Sequence, residues 1–154
     1  MQNAFIERAI ELAVENVKIG GGPFGAVIVR GQEIIAACAN QVAPTNDPTA
    51  HAEIVTVREA CHTLNRFQLQ GCEIYSSCEP CPMCLGAIYW AHLDRLYFAA
   101  TREQAAAAGF DDLLLYQQIA LPLEQRSLPA QCIELSDAEK PFQLWNTKPD
   151  RTKY

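Results

Sequence analysis

A chain of 154 residues is long enough for one domain with a substantial core and too short for several. Hydrophobic residues make up 49% and charged residues 19%, which excludes a disordered chain, and no apolar run nears the roughly 20 residues of a membrane span. The net charge of −6 leaves no basic footprint of the kind that grips phosphates, so the expected partner is a small uncharged molecule and not nucleic acid or a membrane.

Phe5, Ile6, Ala9, Ile10, Ala13, Val14 and Val17 recur at helical spacing, which predicts an amphipathic helix over residues 3–19, ended by Gly20-Gly21-Gly22-Pro23. Charged residues spread through positions 1–20 argue against a secretory signal. Two apolar runs, 24–30 and 33–39, flank Gly31-Gln32 and read as a β-hairpin. Asp47-Pro48 reads as an N-cap and first helical position, opening a helix that carries His51 and Glu53 to about Leu64. Residues 73–77 form a short strand, and Pro80-Cys81-Pro82 opens a helix to about Ala91. Residues 95–99 read as a buried strand, 103–109 and 112–119 as helices, 131–135 as a short strand and 137–145 as a last helix. A hairpin followed by strand–helix alternation predicts an α/β fold, a mixed sheet with helices on both faces. Ligands in such sheets collect beyond the strand carboxyl ends, where both motif helices begin.

Seven cysteines at irregular spacing, with no secretory signal, argue against a disulfide framework and for a cytoplasmic protein with reduced thiols. Cys81 and Cys84 stand three apart and share one helix face, so they can bind one ion. Their place in the first turn favours thiolates, because the positive end of the helix dipole lowers thiol pKa. His51 supplies a third ligand, and two thiolates with one imidazole leave an open position for water on Zn²⁺. Glu53, two residues on, has no need to touch the metal and is the candidate to move that water's protons.

Blander readings compete with this one. Cys78 extends the pattern to C-x₂-C-x₂-C and would allow a closed, structural Cys₃His site, although Pro80 separates it from the helix. An iron–sulfur site in the ferredoxin pattern needs a fourth cysteine at position 88, which is Ile88. Cys38, Cys61, Cys72 and Cys132 read as small core hydrophobes, and His62 and His92 as helix-end residues.

His51-Ala52-Glu53 with Pro80-Cys81-Pro82-Met83-Cys84 resembles the cytidine-deaminase superfamily of zinc deaminases. Gly22-Pro23-Phe24-Gly25-Ala26-Val27, Asn46-Asp47-Pro48-Thr49-Ala50, Leu85-Gly86-Ala87-Ile88-Tyr89-Trp90-Ala91, Ala108-Gly109-Phe110-Asp111-Asp112 and the Pro141-Phe142-Gln143 ending extend the likeness to its bacterial guanine deaminases. The resemblance runs nearly end to end. It implies a three-layer α/β/α domain over residues 1–154 with a central five-stranded mixed sheet, one Zn²⁺ per chain, and hydrolytic deamination of guanine to xanthine and ammonia.

By the same resemblance His51, Cys81 and Cys84 are the zinc ligands and Glu53 the proton shuttle. Asn40 would hydrogen-bond the purine, Phe24 and Trp90 would wall the ring pocket, and Asp112 would meet the guanine amino edge and assist the departing amine. A C-terminal segment, about residues 137–154, would carry Tyr154 into a partner's active site in a swapped homodimer. Locally, Asn40 also reads as a turn residue, Asp112 as a helix N-cap, Phe24 and Trp90 as core, and Tyr154 as part of a frayed tail. A tRNA adenosine deaminase shares H-A-E and P-C-x-M-C, but the acidic balance and Ala99-Ala100-Thr101-Arg102 speak against it. A cytosine or aminotriazine deaminase would differ only in its pocket walls. A non-catalytic zinc interaction module would have no use for Glu53 beside the metal.

Overall fold

A computed structural model describes residues 2–153. Tyr154, expected at a partner's pocket, lies outside the described residues. The chain divides after Leu113 into two compact units.

The first unit is built on a four-stranded sheet. Helix α1 (Gln2–Lys18) leads into the hairpin of β1 (Gly25–Arg30) and β2 (Glu33–Ala39), closed by Arg30 opposite Glu33, with Gly31 at φ +64 in the two-residue turn. A bulge between Ile28 and Val29 adds one residue to β2. A short α2 (Val42–Thr45) and α3 (Ala52–Leu64) precede β3 (Glu73–Cys78), which pairs antiparallel with β1. Helix α4 (Pro82–Trp90) then crosses to β4 (Arg95–Ala100), parallel to β3, giving the order β2-β1-β3-β4.

Alternation along the strands sends successive side chains to opposite faces, and both faces are covered. Ala26, Ile28 and Ile74 pack with Ala52 and Ala60 of α3 and Ile88 of α4. Val27, Val29 and Tyr75 pack with Ala9 and Phe5 of α1. At about 25 cal/mol per Å² of apolar surface, each buried Val or Ile adds roughly 1.5–3 kcal/mol, so the two clusters anchor the helices that carry the site. Gly25 is required here, because a Cβ would meet Ala9 and Ala13 backbone where β1 lies against α1.

The mixed sheet with helices on both faces is as expected, but it has four strands and not five. Residues 131–135 form no ladder among the described residues, so the sheet ends at β4. For the same reason β4 is not the buried strand its composition suggests: Phe98 is 45% exposed on a sheet edge. Asp47-Pro48 does not open α3 either. The Asp47 carboxylate accepts from Thr49 N and Oγ1, closing a tight turn, and the helix begins five residues later with His51 as N-cap.

The second unit carries α6 (Leu113–Ala120) from the boundary, a 3₁₀ turn (Leu123–Gln125) and α7 (Lys140–Thr147), after α5 (Arg102–Ala107) in the first. No residue of 114–153 is buried, and Leu128, Ile133, Leu135, Phe142 and Leu144 are each about seven-tenths exposed. Cys132, expected in a core, is exposed because this unit has none.

Candidate active site

Two helix starts make the centre of the site. Cys81 is the N-cap of α4 in an extended conformation, with Pro82 at the first helical position, where its missing N–H has no intrahelical partner to lose. Cys84 lies three residues on, buried in the first turn. His51 caps α3 and points Nδ1 at both sulfurs, 3.7 Å from Cys81 Sγ and 3.5 Å from Cys84 Sγ. The three ligand atoms lie within 4.8 Å of one another.

That geometry fits zinc. Tetrahedral bonds of about 2.3 Å to sulfur and about 2.0–2.1 Å to nitrogen set sulfur and nitrogen about 3.6 Å apart. Cys78 does not join them: its Sγ donates to the Thr101 carbonyl at 3.7 Å, so the closed Cys₃His arrangement does not form. Three protein ligands with a fourth position open is the pattern of catalytic zinc.

The site's own electrostatics prepare the sulfurs. A hydrogen bond from Cys84 draws Cys81 down to about 4, against a desolvation that raises it and with help from His51. The same bond, together with burial, pushes Cys84 up, so one thiol proton is held between the pair. The Cys81 sulfur also raises His51.

Glu53, in the first turn of α3, is 5% exposed and brought against this cluster. Its Oε1 accepts from Ser76 Oγ at 2.9 Å and its Oε2 from the Cys84 thiol at 3.5 Å. Burial raises its pKa, and the two hydrogen bonds hold it partly back. A carboxylate so placed is confined, and burial makes it a stronger base than an exposed one.

Asn40 follows β2 and is buried at the rim of the same region. Its neighbour Gln41 donates to the carbonyl of Ala50, one residue before His51, tying the Asn40 loop to the metal loop. The Asn40 Oδ1 accepts from Val42 N at 3.2 Å. Phe24 is half-buried, its carbonyl accepting from Asn40 N and its ring meeting Phe110 edge-on at 5.0 Å. Beside it an apolar groove of about 370 Å³ runs between α1, β4 and α5, floored by Cys78 and Ala100.

Asp112 is half-buried and near enough to raise His51 and Cys78 by its charge, while burial and the Cys81 sulfur raise Asp112 itself. The local capping bond is made by Asp111, whose Oδ1 accepts from Leu113 N at 2.9 Å. Trp90 ends α4, about 12 Å of helix rise from the cysteine end, and is 68% exposed.

Two residues with direct bonds into the site escaped the sequence reading, Ser76 and Asn16. The signal for Ser76 was a small polar residue on an otherwise apolar buried strand. The signal for Asn16 was an amide in register with Ala9 and Ala13, on the inward face of α1.

Residues 1–100 match the family described as the cytidine and deoxycytidylate deaminase zinc-binding region. The chain is 49% identical to the guanine deaminase of Bacillus subtilis over 97% of both proteins. It superposes on the crystal structure of a B. subtilis guanine deaminase with a TM-score of 0.97 at 48% identity, covering 99% of this chain and 98% of that one. A tRNA-specific adenosine deaminase of Aquifex aeolicus is 41% identical over 96 residues, 62% of this chain and 64% of that protein.

Proposed function

The chain belongs to the cytidine and deoxycytidylate deaminase family of zinc-binding proteins, and from that membership we propose that it deaminates guanine hydrolytically to xanthine and ammonia. One observation carries the hydrolytic reading: the buried Glu53 carboxylate 3.5 Å from Cys84 Sγ, beside a donor set that fits zinc. The choice of guanine is supported by a likeness that covers 97% of this chain, against 62% for the adenosine deaminase match.

His51 Nδ1, Cys81 Sγ and Cys84 Sγ would hold the metal, one per chain. When bound, zinc would act as a Lewis acid that lowers the pKa of a coordinated water to about 7. Glu53 takes a proton from the attacking water and returns protons to the ring and to the amine at carbon 2. Ser76 holds one carboxylate oxygen of Glu53, so the other stays directed at the reacting atoms. Asn40 donates from Nδ2 to an acceptor on the purine, its Oδ1 being engaged by Val42 N. Phe24 packs on the ring and helps exclude water. Asp112 meets the guanine amino edge and assists proton transfer to the departing amine, a task suited to a carboxylate whose pKa burial has raised. Trp90 walls the ring pocket together with Phe24.

The working unit in this proposal is a homodimer with exchanged C-terminal segments. A second unit without a buried residue cannot offset its own ordering entropy, and the first unit exposes Ile10, Val14 and Val17 beside its apolar groove. A segment that includes residues 137–154 and crosses to the partner covers both, and brings Tyr154 to the partner's pocket. No helix among the described residues is long and apolar enough to cross a membrane. We infer that the reaction takes place in the cytoplasm, a compartment that keeps thiol ligands reduced.

The test is a substrate panel of guanine, adenine, cytosine, ammeline and a tRNA anticodon stem-loop, read by ammonia release. Guanine should exceed adenine by about 10⁴-fold, since a site built to pair with one ring edge leaves polar groups unmatched by the other. Turnover of the stem-loop with none of guanine would overturn the proposal in favour of adenosine in RNA.

A further inference from the structure

Asn16 sits two residues before the end of α1, 24 residues from Asn40 in sequence, and is 3% exposed. Its two side-chain N–H groups go to two different carbonyls. Nδ2 donates to Gly22 O at 2.8 Å and to Asn40 O at 2.9 Å. Its backbone carbonyl accepts from Gly21 N at 2.8 Å and Ile19 N at 3.2 Å. One residue therefore joins the end of α1, the glycine loop and the residue that follows β2.

The glycines make room for this arrangement. A Cβ on Gly21 would collide with the Asn16 amide itself, and a Cβ on Gly22 would come within 3.1 Å of Asn40 Oδ1. Neither glycine has a positive φ, so their smallness serves close approach and not backbone conformation. Asn40 is thereby fixed at every polar atom but one. Its N–H donates to Phe24 O, its carbonyl accepts from Asn16, and its Oδ1 accepts from Val42 N, which also settles which way the amide faces.

We propose that Asn16, acting through the Gly21-Gly22 loop it holds, is the positioning residue for Asn40, fixing the height and direction from which Asn40 Nδ2 meets the ring. This rests on the reading of Asn40 as the purine-binding amide. Asn16 does not touch substrate. Its contribution is preorganisation: displacement of a binding group by about 1 Å can lower turnover by about 10²-fold.

The test is a double-mutant cycle on the zinc-loaded protein with guanine. Asn16→Ala should lower kcat/KM by about 10–100-fold, mainly through KM, with one zinc retained. In an Asn40→Ala background the same substitution should change kcat/KM by no more than about 3-fold, because the group it positions is gone. Asn16→Asp keeps the volume and loses both donors, and should behave as Asn16→Ala does. If neither variant folds, Gly22→Ala leaves Asn16 whole, crowds Asn40 Oδ1, and should show the same KM-weighted loss that vanishes in the Asn40→Ala background. Losses that multiply in full with that of Asn40→Ala, or unchanged KM, would overturn the proposal and leave Asn16 a structural residue. An Asn40→Ala protein as active as wild type would instead overturn the reading of Asn40, and a wild type inactive on guanine would overturn the proposed reaction.

Discussion

Ser76 Oγ on β3 donates a 2.9 Å hydrogen bond to Oε1 of Glu53 on α3, spanning 23 residues of chain inside the core. The bond stabilises the carboxylate form, since a hydroxyl donor favours the charged acceptor, and so lowers a pKa that burial raises. It also fixes the rotation of a side chain that has to exchange protons repeatedly. Ser76→Ala should reduce kcat about tenfold, in the range of one hydrogen bond to a charged group. With the lowering contact gone, Glu53 should titrate higher still. The acid limb of the kcat/KM profile should move to higher pH, and an unmoved limb would show that Ser76 does not act on Glu53.

Glu53→Gln should keep zinc and lose turnover by roughly 10²–10⁴-fold or more, the usual range for a group that transfers protons. Stability should move the opposite way. A carboxyl whose folded pKa is raised contributes stability that is fully present below its unfolded value, near 4.5, and lost as pH rises through the folded value. The amide has no such loss. Metal-free Glu53→Gln should therefore melt above metal-free wild type at pH 7, with the gap closing as pH falls toward 4.5. A wild type that is the more stable at pH 7 would contradict the burial argument.

What could be read from sequence follows the range of the interactions concerned. His51-x-Glu53 and Cys81-x-x-Cys84 were legible because helix geometry fixes their mutual spacing within one turn. The hairpin was legible from Gly31 between two apolar runs. The start of α3 was not, because the Asp47 side chain chose Thr49 over a helical N–H, and both choices satisfy the same oxygen. β4 looked buried because composition cannot distinguish a central strand from an edge whose next neighbour does not form. Ser76 and Asn16 were invisible in function because each acts on a residue more than 20 positions away, and nothing local to either names its partner.

Cys81→Ser and Cys84→Ser should each lose the equivalent of zinc that the wild type holds, measured by metal analysis. Zinc uptake should also release protons. Cys81, drawn to about 4, is already a thiolate at pH 7, whereas Cys84 holds its proton and must give it up. His51, raised by its neighbour Cys81, is increasingly protonated as pH falls and must then lose that proton when zinc binds. Calorimetric titration of the metal-free protein in buffers of different ionisation enthalpy should thus find the Cys84 proton released at high pH, more protons released as pH is lowered through the His51 titration, and affinity rising with pH. Release that stays the same across the whole pH range would mean that His51 takes no part.

The proposed exchange of C-terminal segments predicts complementation between two inactive chains. Deleting the last few residues, Tyr154 among them, should lower activity far more than it lowers the melting temperature. The physical reason is solvent, since a pocket closed by an aromatic side chain excludes water and strengthens every charge interaction within it. Glu53→Gln is inactive for a different reason and keeps its tail. When the two are mixed under conditions that allow subunits to exchange, the heterodimer contains one site with an intact Glu53 and a complete tail from the other chain. About half of the mixed population is such dimers if exchange is random, so activity should return to roughly a quarter of the wild-type value per site. A truncated protein that is monomeric, folded and fully active would rule the exchange out and leave the chemistry at Glu53 and the zinc ligands as it stands.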